Sequence, residues 1–357
     1  MKQLTRAFVA VFVVSFALLF WIKELNASEG YSGDKTISVY NWGDYIDEEL
    51  VAKFEEETGY KVIYSTFDSN EAMITKINQG GTNYDVVVPS EYAIQKMVED
   101  DLLQAIDHSL IPNLQYIDDR FLDLSFDPGN KYSIPYFWGT VGIVYNTKLL
   151  EDRTFNSWND LWAEDLENEI LLVDGAREVM GMGLNSLGYS LNSRDDSQLI
   201  EAKEKLDTLT PNIKAIVGDE IKMLLANEEA SIGVVWSGDA ADIMWQNENL
   251  DYVVPSEGSN LWFDNFVIPK DATNVEGAHA FINFMLDPEN AAQNADYVGY
   301  STPNIGAFEY MDEEVITDER FYPSPELTAK LEVYDNLGKV MLARYSELFL
   351  EFKMHRK

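Results

Sequence analysis

Apolar positions along this chain follow two alternating patterns. Short runs of mostly β-branched and aromatic residues give way to stretches in which apolar residues return every three or four positions. The first pattern predicts strands and the second predicts amphipathic helices. Residues 37–42 read as a strand. Residues 47–58 read as a helix with Leu50, Val51 and Phe54 on one face, stopped by Gly59. A strand at 61–67 and a helix at 69–78 follow, the latter ending before Gly80-Gly81. Residues 85–90 form a short buried strand that leads into a helix at 92–99. This β-α-β-α-β series predicts a parallel sheet with right-handed crossovers, whose ligands sit beyond the carboxyl ends of the strands.

A second series begins with a long extended stretch at 133–146, which crosses between two lobes. Strands are predicted at 170–173 and 231–236, with helices at 176–187, 199–209 and 220–227. A strand at 262–268 returns the chain to the first lobe. Helices at 277–285, 288–297 and 328–338 complete the set. The predicted fold class is therefore α/β, with two lobes joined by extended crossings and a cleft between them. Trp138, Trp158, Trp162 and Trp245 are assigned to packing.

Composition narrows the possible partners. The chain carries 26 basic and 62 acidic residues, a net charge of -36. Such a surface repels nucleic acid and anionic lipid but attracts small cations. There is no cysteine, which excludes disulfides, thiolate catalysis and a lipid-modified N-terminal cysteine. Lys2 and Arg6 precede an apolar run of 16 residues, 7–22, followed by Lys23-Glu24. Basic residues before an apolar core describe an export signal or membrane anchor. The cleavage region is poor, offering only Leu25-Asn26-Ala27. An uncleaved N-terminal apolar helix is therefore expected over a cleaved signal, with the body of the protein outside the cytoplasmic membrane.

Two triplets of aromatic-x-acid, Trp42-Gly43-Asp44 and Trp262-Phe263-Asp264, lie 220 residues apart. In an extended strand, residues i and i+2 share a face, so each triplet would present an indole beside a carboxylate. That pair suits an organic cation with an apolar stem. No phosphate-binding glycine loop, dinucleotide fingerprint, Gly-x-Ser-x-Gly elbow or His-Glu-x-x-His is present. His108, His279 and His355 are dispersed and read as surface or packing residues. Neither a cofactor nor a metal site is expected. Asp174 and Glu178 could serve a carboxylate-only hydrolase, but no other feature supports one.

The segments Tyr40-Asn41-Trp42-Gly43-Asp44-Tyr45, Val88-Pro89-Ser90-Glu91-Tyr92 and Ser133-Ile134-Pro135-Tyr136-Phe137-Trp138-Gly139 occur in this order, followed by Ala176-Arg177-Glu178-Val179, Trp262-Phe263-Asp264 and Gly299-Tyr300-Ser301-Thr302-Pro303-Asn304. Together they resemble the spermidine/putrescine-binding proteins of bacterial ABC importers, in particular the streptococcal-type members. The resemblance covers nearly all of the chain from about residue 36.

It implies a two-lobed periplasmic-binding-protein fold of the Venus-flytrap type II kind, with discontinuous lobes. Residues 34–140 and 264–308 would form lobe 1, and 141–263 and 309–357 lobe 2, after an N-terminal segment at 1–30. It implies that a polyamine is bound in the cleft and delivered to a permease with a cytoplasmic ATPase, and that the protein is a monomer and not an enzyme. Carried over residue by residue, the ligand-binding set is Trp42, Asp44, Tyr45, Ser90, Tyr92, Glu178, Trp236, Trp262, Asp264 and Tyr334.

Three departures bear on the ligand. Two successive acids before Ala-Arg-Glu become Asp174 and Gly175, so Asp174 is a weaker member of the set and is expected to cap the following helix. A serine in some members falls near Gly218, and a glutamine of spermidine binders is matched by Tyr334. The choice between diamine and triamine stays open. Three carboxylates, with Asp264 and Glu178 at one end and the middle and Asp44 towards the other end, favour spermidine. A choline or betaine receptor is the nearest alternative, but a quaternary nitrogen donates no hydrogen bonds and would leave the repeated acids unexplained.

Overall fold

The computed structural model describes residues 35–151 and 153–355. The apolar run at 7–22, with the question of signal or anchor, lies outside the described residues. Among the described residues, no helix is long and apolar enough to cross a membrane.

The first half of the chain forms β1 (Thr36–Trp42), α1 (Glu48–Thr58), β2 (Lys61–Phe67), α2 (Asn70–Gln79), β3 (Val86–Val87), α3 (Glu91–Glu99) and β4 (Ser133–Asn146). Helix α1 begins where Asp47 accepts the Glu49 amide, and it ends at Gly59 in the left-handed region (φ 73°). There follow β5 (Ile170–Val173), α4 (Ala176–Ser186), α5 (Asp196–Leu209), β6 (Ile213–Val217), α6 (Glu220–Ala226), β7 (Ile232–Trp236) and α7 (Ser237–Gln246). The remainder is β8 (Leu250–Val253), β9 (Leu261–Val267), α8 (Val275–Met285), α9 (Pro288–Val298) and α10 (Gly338–His355), with short helical turns between.

The strands run in the order β2-β1-β3-β9-β4-β7-β5-β6, and β8 also pairs with β4. β1 is parallel to β2 and β3, and β5 is parallel to β6 and β7. β9 enters antiparallel to both β3 and β4. The predicted parallel sheet is therefore mixed, because the chain comes back through β9 instead of by another crossover helix. The strand β4 is shared: Ser133–Thr140 pair with β9, and Val141–Asn146 pair with β7 and β8. All 14 of its residues are buried, as a strand covered on both faces requires.

Each half of the sheet carries apolar cores on both faces. In the first half Ile37 and Val39 pack with Leu50, Phe54 and Phe281, while Tyr40 and Val87 pack with Met73, Ile94 and Phe263. In the second half Ile143, Leu172 and Val234 pack with Val179, Leu206 and Tyr345, while Val144 and Val235 pack with Ile221 and Tyr252. Trp236 packs against three of these four cores.

Two further expectations are corrected. The helix predicted at 328–338 is instead a short turn followed by an extended strap. Its backbone groups are taken by distant side chains: Asn192 donates to Val333 O and accepts the Asp335 amide, Arg177 donates to Asp335 O, and Arg194 donates to Asn336 O and Leu337 O. Trp245 does not pack, being 88% exposed at the last turn of α7. Trp138 and Trp158 are fully buried, and His279 is a satisfied core residue that accepts the Asp107 amide.

Candidate functional site

The site is built where β9 passes the N-terminus of α3. Ser90 is the residue before that helix, and it forms a bridge with Asp264 in the middle of β9. Asp264 is 7% exposed. Its two oxygens accept hydrogen bonds from Tyr45 Oη at 2.6 Å and Ser90 Oγ at 2.7 Å. Burial raises its pKa to about 6, although both hydrogen bonds favour the charged form. A carboxylate so placed can hold an ammonium with its remaining lone pairs.

The walls are aromatic. Tyr45 lies edge-on to Tyr136, Phe137 and Tyr300, with centroids at 5.7, 5.2 and 5.3 Å. Tyr136 fixes the Tyr45 backbone by donating to its carbonyl at 2.7 Å. Trp262, two residues before Asp264, lies 5.3 Å from Tyr300. Tyr300 in turn rests on Gly238 at the start of α7, where a Cβ would fall 1.3 Å from its ring. Only glycine allows this approach, which joins an element of the first core to one of the second half of the sheet.

A second group lies beside the first. Asn70 donates to both Ser90 Oγ and Tyr92 Oη, at 3.1 and 2.9 Å, and so ties the two candidates together. Burial drives Tyr92 up, and the charges of Glu71 and Glu178 add to the effect. Glu178 opens α4, and burial raises its pKa against the pull of Arg177 and the Tyr334 hydroxyl. The strap carries Tyr334 to this point, where its ring lies 4.1 Å beneath the Arg177 guanidinium. Gln95 of α3 meets the strap from the other side, donating to Tyr334 O and accepting the Asn336 amide.

The structure thus brings Tyr45, Ser90, Trp262 and Asp264 into one constellation and Tyr92, Glu178 and Tyr334 into an adjoining one. Trp42 ends β1 half-buried, its ring 4.5 Å from Phe67 and its indole N–H buried without a partner among the described residues. Trp236 sits at the junction of the cores. The geometry expected of the two triplets holds only for the second. Asp44 is exposed in a turn, at φ 50°, so it does not share a strand face with Trp42. Asp174 does not cap α4 either. It pairs with Lys353 of α10 at 2.7 Å, and Gly175 occupies the capping position without a side-chain bond.

Three participants were not singled out by sequence. Asn70 falls inside the helix predicted at 69–78, and Tyr300 inside the 299–304 segment of the resemblance, which assigns it no site role. Glu91 looks like a favourable first-turn acid, yet it is fully buried. Its Oε2 accepts the Phe263 amide at 3.1 Å, Oε1 has no partner among the described residues, and burial raises its pKa to about 8. Among the described residues, no group of three or more acidic or histidine side chains is arranged to hold a metal. A cavity of about 150 Å³ lined by Ile77, Tyr84 and Lys270 includes none of the candidate residues.

Residues 49–322 match the model of the bacterial extracellular solute-binding protein family. The chain belongs to that family. This solute-binding protein is 38% identical over 335 residues to the spermidine/putrescine-binding periplasmic protein of Salmonella typhimurium, covering 93% of the chain and 96% of the relative. It is 35% identical over 320 residues to the putrescine-binding periplasmic protein PotF of Escherichia coli, covering 83% and 85%. Among solved structures, the spermidine/putrescine ABC transporter substrate-binding protein PotD of Streptococcus pneumoniae is 58% identical, with a TM-score of 0.87 over 90% of this chain and 100% of that one. Both extents recur for a spermidine/putrescine ABC transporter protein of Listeria monocytogenes, at 63% identity and a TM-score of 0.82. The two-lobed periplasmic-binding-protein fold is thereby shown.

Proposed function

We propose that this chain is the extracytoplasmic substrate-binding component of a polyamine ABC importer, binding spermidine or putrescine between its lobes and presenting it to a permease. The observation that carries this reading is Asp264, a buried carboxylate held by Tyr45 and Ser90 and walled by Trp262 and Tyr300. A linear polyamine matches that chemistry, since its ammonium satisfies the carboxylate while its methylenes cover the rings. An ammonium and a carboxylate about 4 Å apart attract by roughly 4 kcal/mol at an effective dielectric near 20, before desolvation. Solute-binding proteins of this fold capture and release and do not turn over substrate.

The ligand set is Trp42, Asp44, Tyr45, Ser90, Tyr92, Glu178, Trp236, Trp262, Asp264 and Tyr334, with Asp44 as an outer contact and Asp174 outside it. We assign 34–140 and 264–308 to lobe 1, and 141–263 and 309–357 to lobe 2. Ligand contact from both lobes, Asp264 in β9 and Glu178 in α4, would stabilise the closed state. The apolar N-terminal segment would hold a monomeric receptor at the outer face of the cytoplasmic membrane.

Calorimetric titration of residues 31–357 with spermidine, putrescine and choline tests the proposal. Stoichiometric, micromolar or tighter binding of either polyamine is expected. Binding of choline alone would replace this reading with a quaternary-amine receptor.

A further inference from the structure

Glu178 is the third residue of α4, and its carboxyl folds back over the helix start instead of pointing along the helix face. A Cβ placed on Gly175 would lie 2.1 Å from Glu178 Oε2 and 2.9 Å from its Cδ. The neighbouring Glu178 amide favours the charged carboxylate, at a helix N-terminus that itself favours negative charge. In that position it lies close enough to raise both Tyr92 of α3 and Tyr334 of the strap. We propose that Gly175 is a positioning residue for polyamine recognition: by having no side chain, it lets the Glu178 carboxylate occupy the start of α4 and face the first lobe. The inference rests on the polyamine reading above.

The backbone does not itself demand glycine here. Gly175 has φ -128° and ψ 120°, an extended conformation open to any residue. Alanine at this position meets only the far end of a flexible side chain, so the fold accommodates it and the carboxylate is what moves. Once displaced, the Glu178 carboxyl leaves the helix start and the half-buried position it holds there, and its charge leaves the groups across the cleft. Asp174 does not take its place, being held by Lys353 on the outside.

The test compares wild type, Gly175→Ala, Glu178→Ala and the double variant. Each is titrated with spermidine and with putrescine, and thermal melting confirms folding. Gly175→Ala is expected to weaken binding fivefold or more in the wild-type background and less than twofold when Glu178 is already alanine. Carbon-detected NMR titration of the Glu178 carboxyl, which needs no ligand, should show its pKa falling towards the ordinary value in Gly175→Ala. Wild-type binding that Gly175→Ala leaves unchanged, or an equal loss in both backgrounds, overturns this inference alone. Absence of polyamine binding by wild type overturns the functional reading and this inference with it.

Discussion

Binding should depend on pH through Asp264. Its carboxyl titrates at about 6 because it is buried, against an ordinary value of 3.8. An ammonium ligand binds the ionised form, so protonation competes with binding. The sign is fixed: affinity approaches its full value only well above pH 6 and falls as pH drops through it. With a pKa near 6, about 90% of Asp264 is ionised at pH 7 and about 10% at pH 5, so the dissociation constant should rise about tenfold between them. Glu178, also raised by burial, adds in the same direction. Calorimetry at pH 7, 6 and 5, in buffers of different ionisation enthalpy, reads both the affinity and the protons released. About half a proton per ligand should leave Asp264 at pH 6. Asp264→Asn should bind more weakly and lose this part of the pH dependence. Affinity that stays flat from pH 7 to pH 5 in wild type, or an asparagine variant that binds as tightly, would refute the placement of the ligand on Asp264.

Two predictions concern groups beside the site. Glu91 is raised by burial from 4.5 to about 8, so its stabilising contribution is present below pH 4.5 and lost as pH rises through 8. Urea unfolding at pH 5 and pH 8 should show Glu91→Gln gaining on wild type by up to about 4 kcal/mol at the higher pH, and parallel behaviour would contradict the burial argument. Asp174→Asn should change stability by less than about 1 kcal/mol, because its pair with Lys353 is partly exposed, and should leave polyamine affinity as it is. A large loss of affinity there would return Asp174 to the ligand set.

What was legible in the sequence depended on local causes. Helix α1 could be read because Asp47, Leu50, Phe54 and Gly59 each act within a few residues. The second triplet could be read because β9 is a regular strand, so Trp262 and Asp264 share a face. Asp44 differed because the chain leaves β1 through a left-handed turn that the triplet does not encode. The strap at 331–337 takes its shape from Arg177, Asn192 and Arg194, more than 140 residues away, and no local pattern announces it. Glu91 escaped notice because a first-turn glutamate usually faces water, and its burial follows from β9 lying across it. Helix α10 was within reach of periodicity: Tyr345, Leu348, Phe349 and Phe352 recur at helical spacing, although the predicted elements stop at Gly338.

The position of β9 has a consequence for how the protein is made. It sits between β3 and β4, yet it is encoded after nearly all of the second half of the sheet. The first half therefore stays open along β3, and along Ser133–Thr140 of β4, until residue 261 and beyond have been synthesised, while β5 to β8 and the rest of β4 already have their partners. The inner segment can gather first, and the N-terminal one must wait for its missing strand. This delays completion of the site around Asp264 until the chain has been made through β9 and on to Tyr300. A receptor built in this order gains its affinity for cations last.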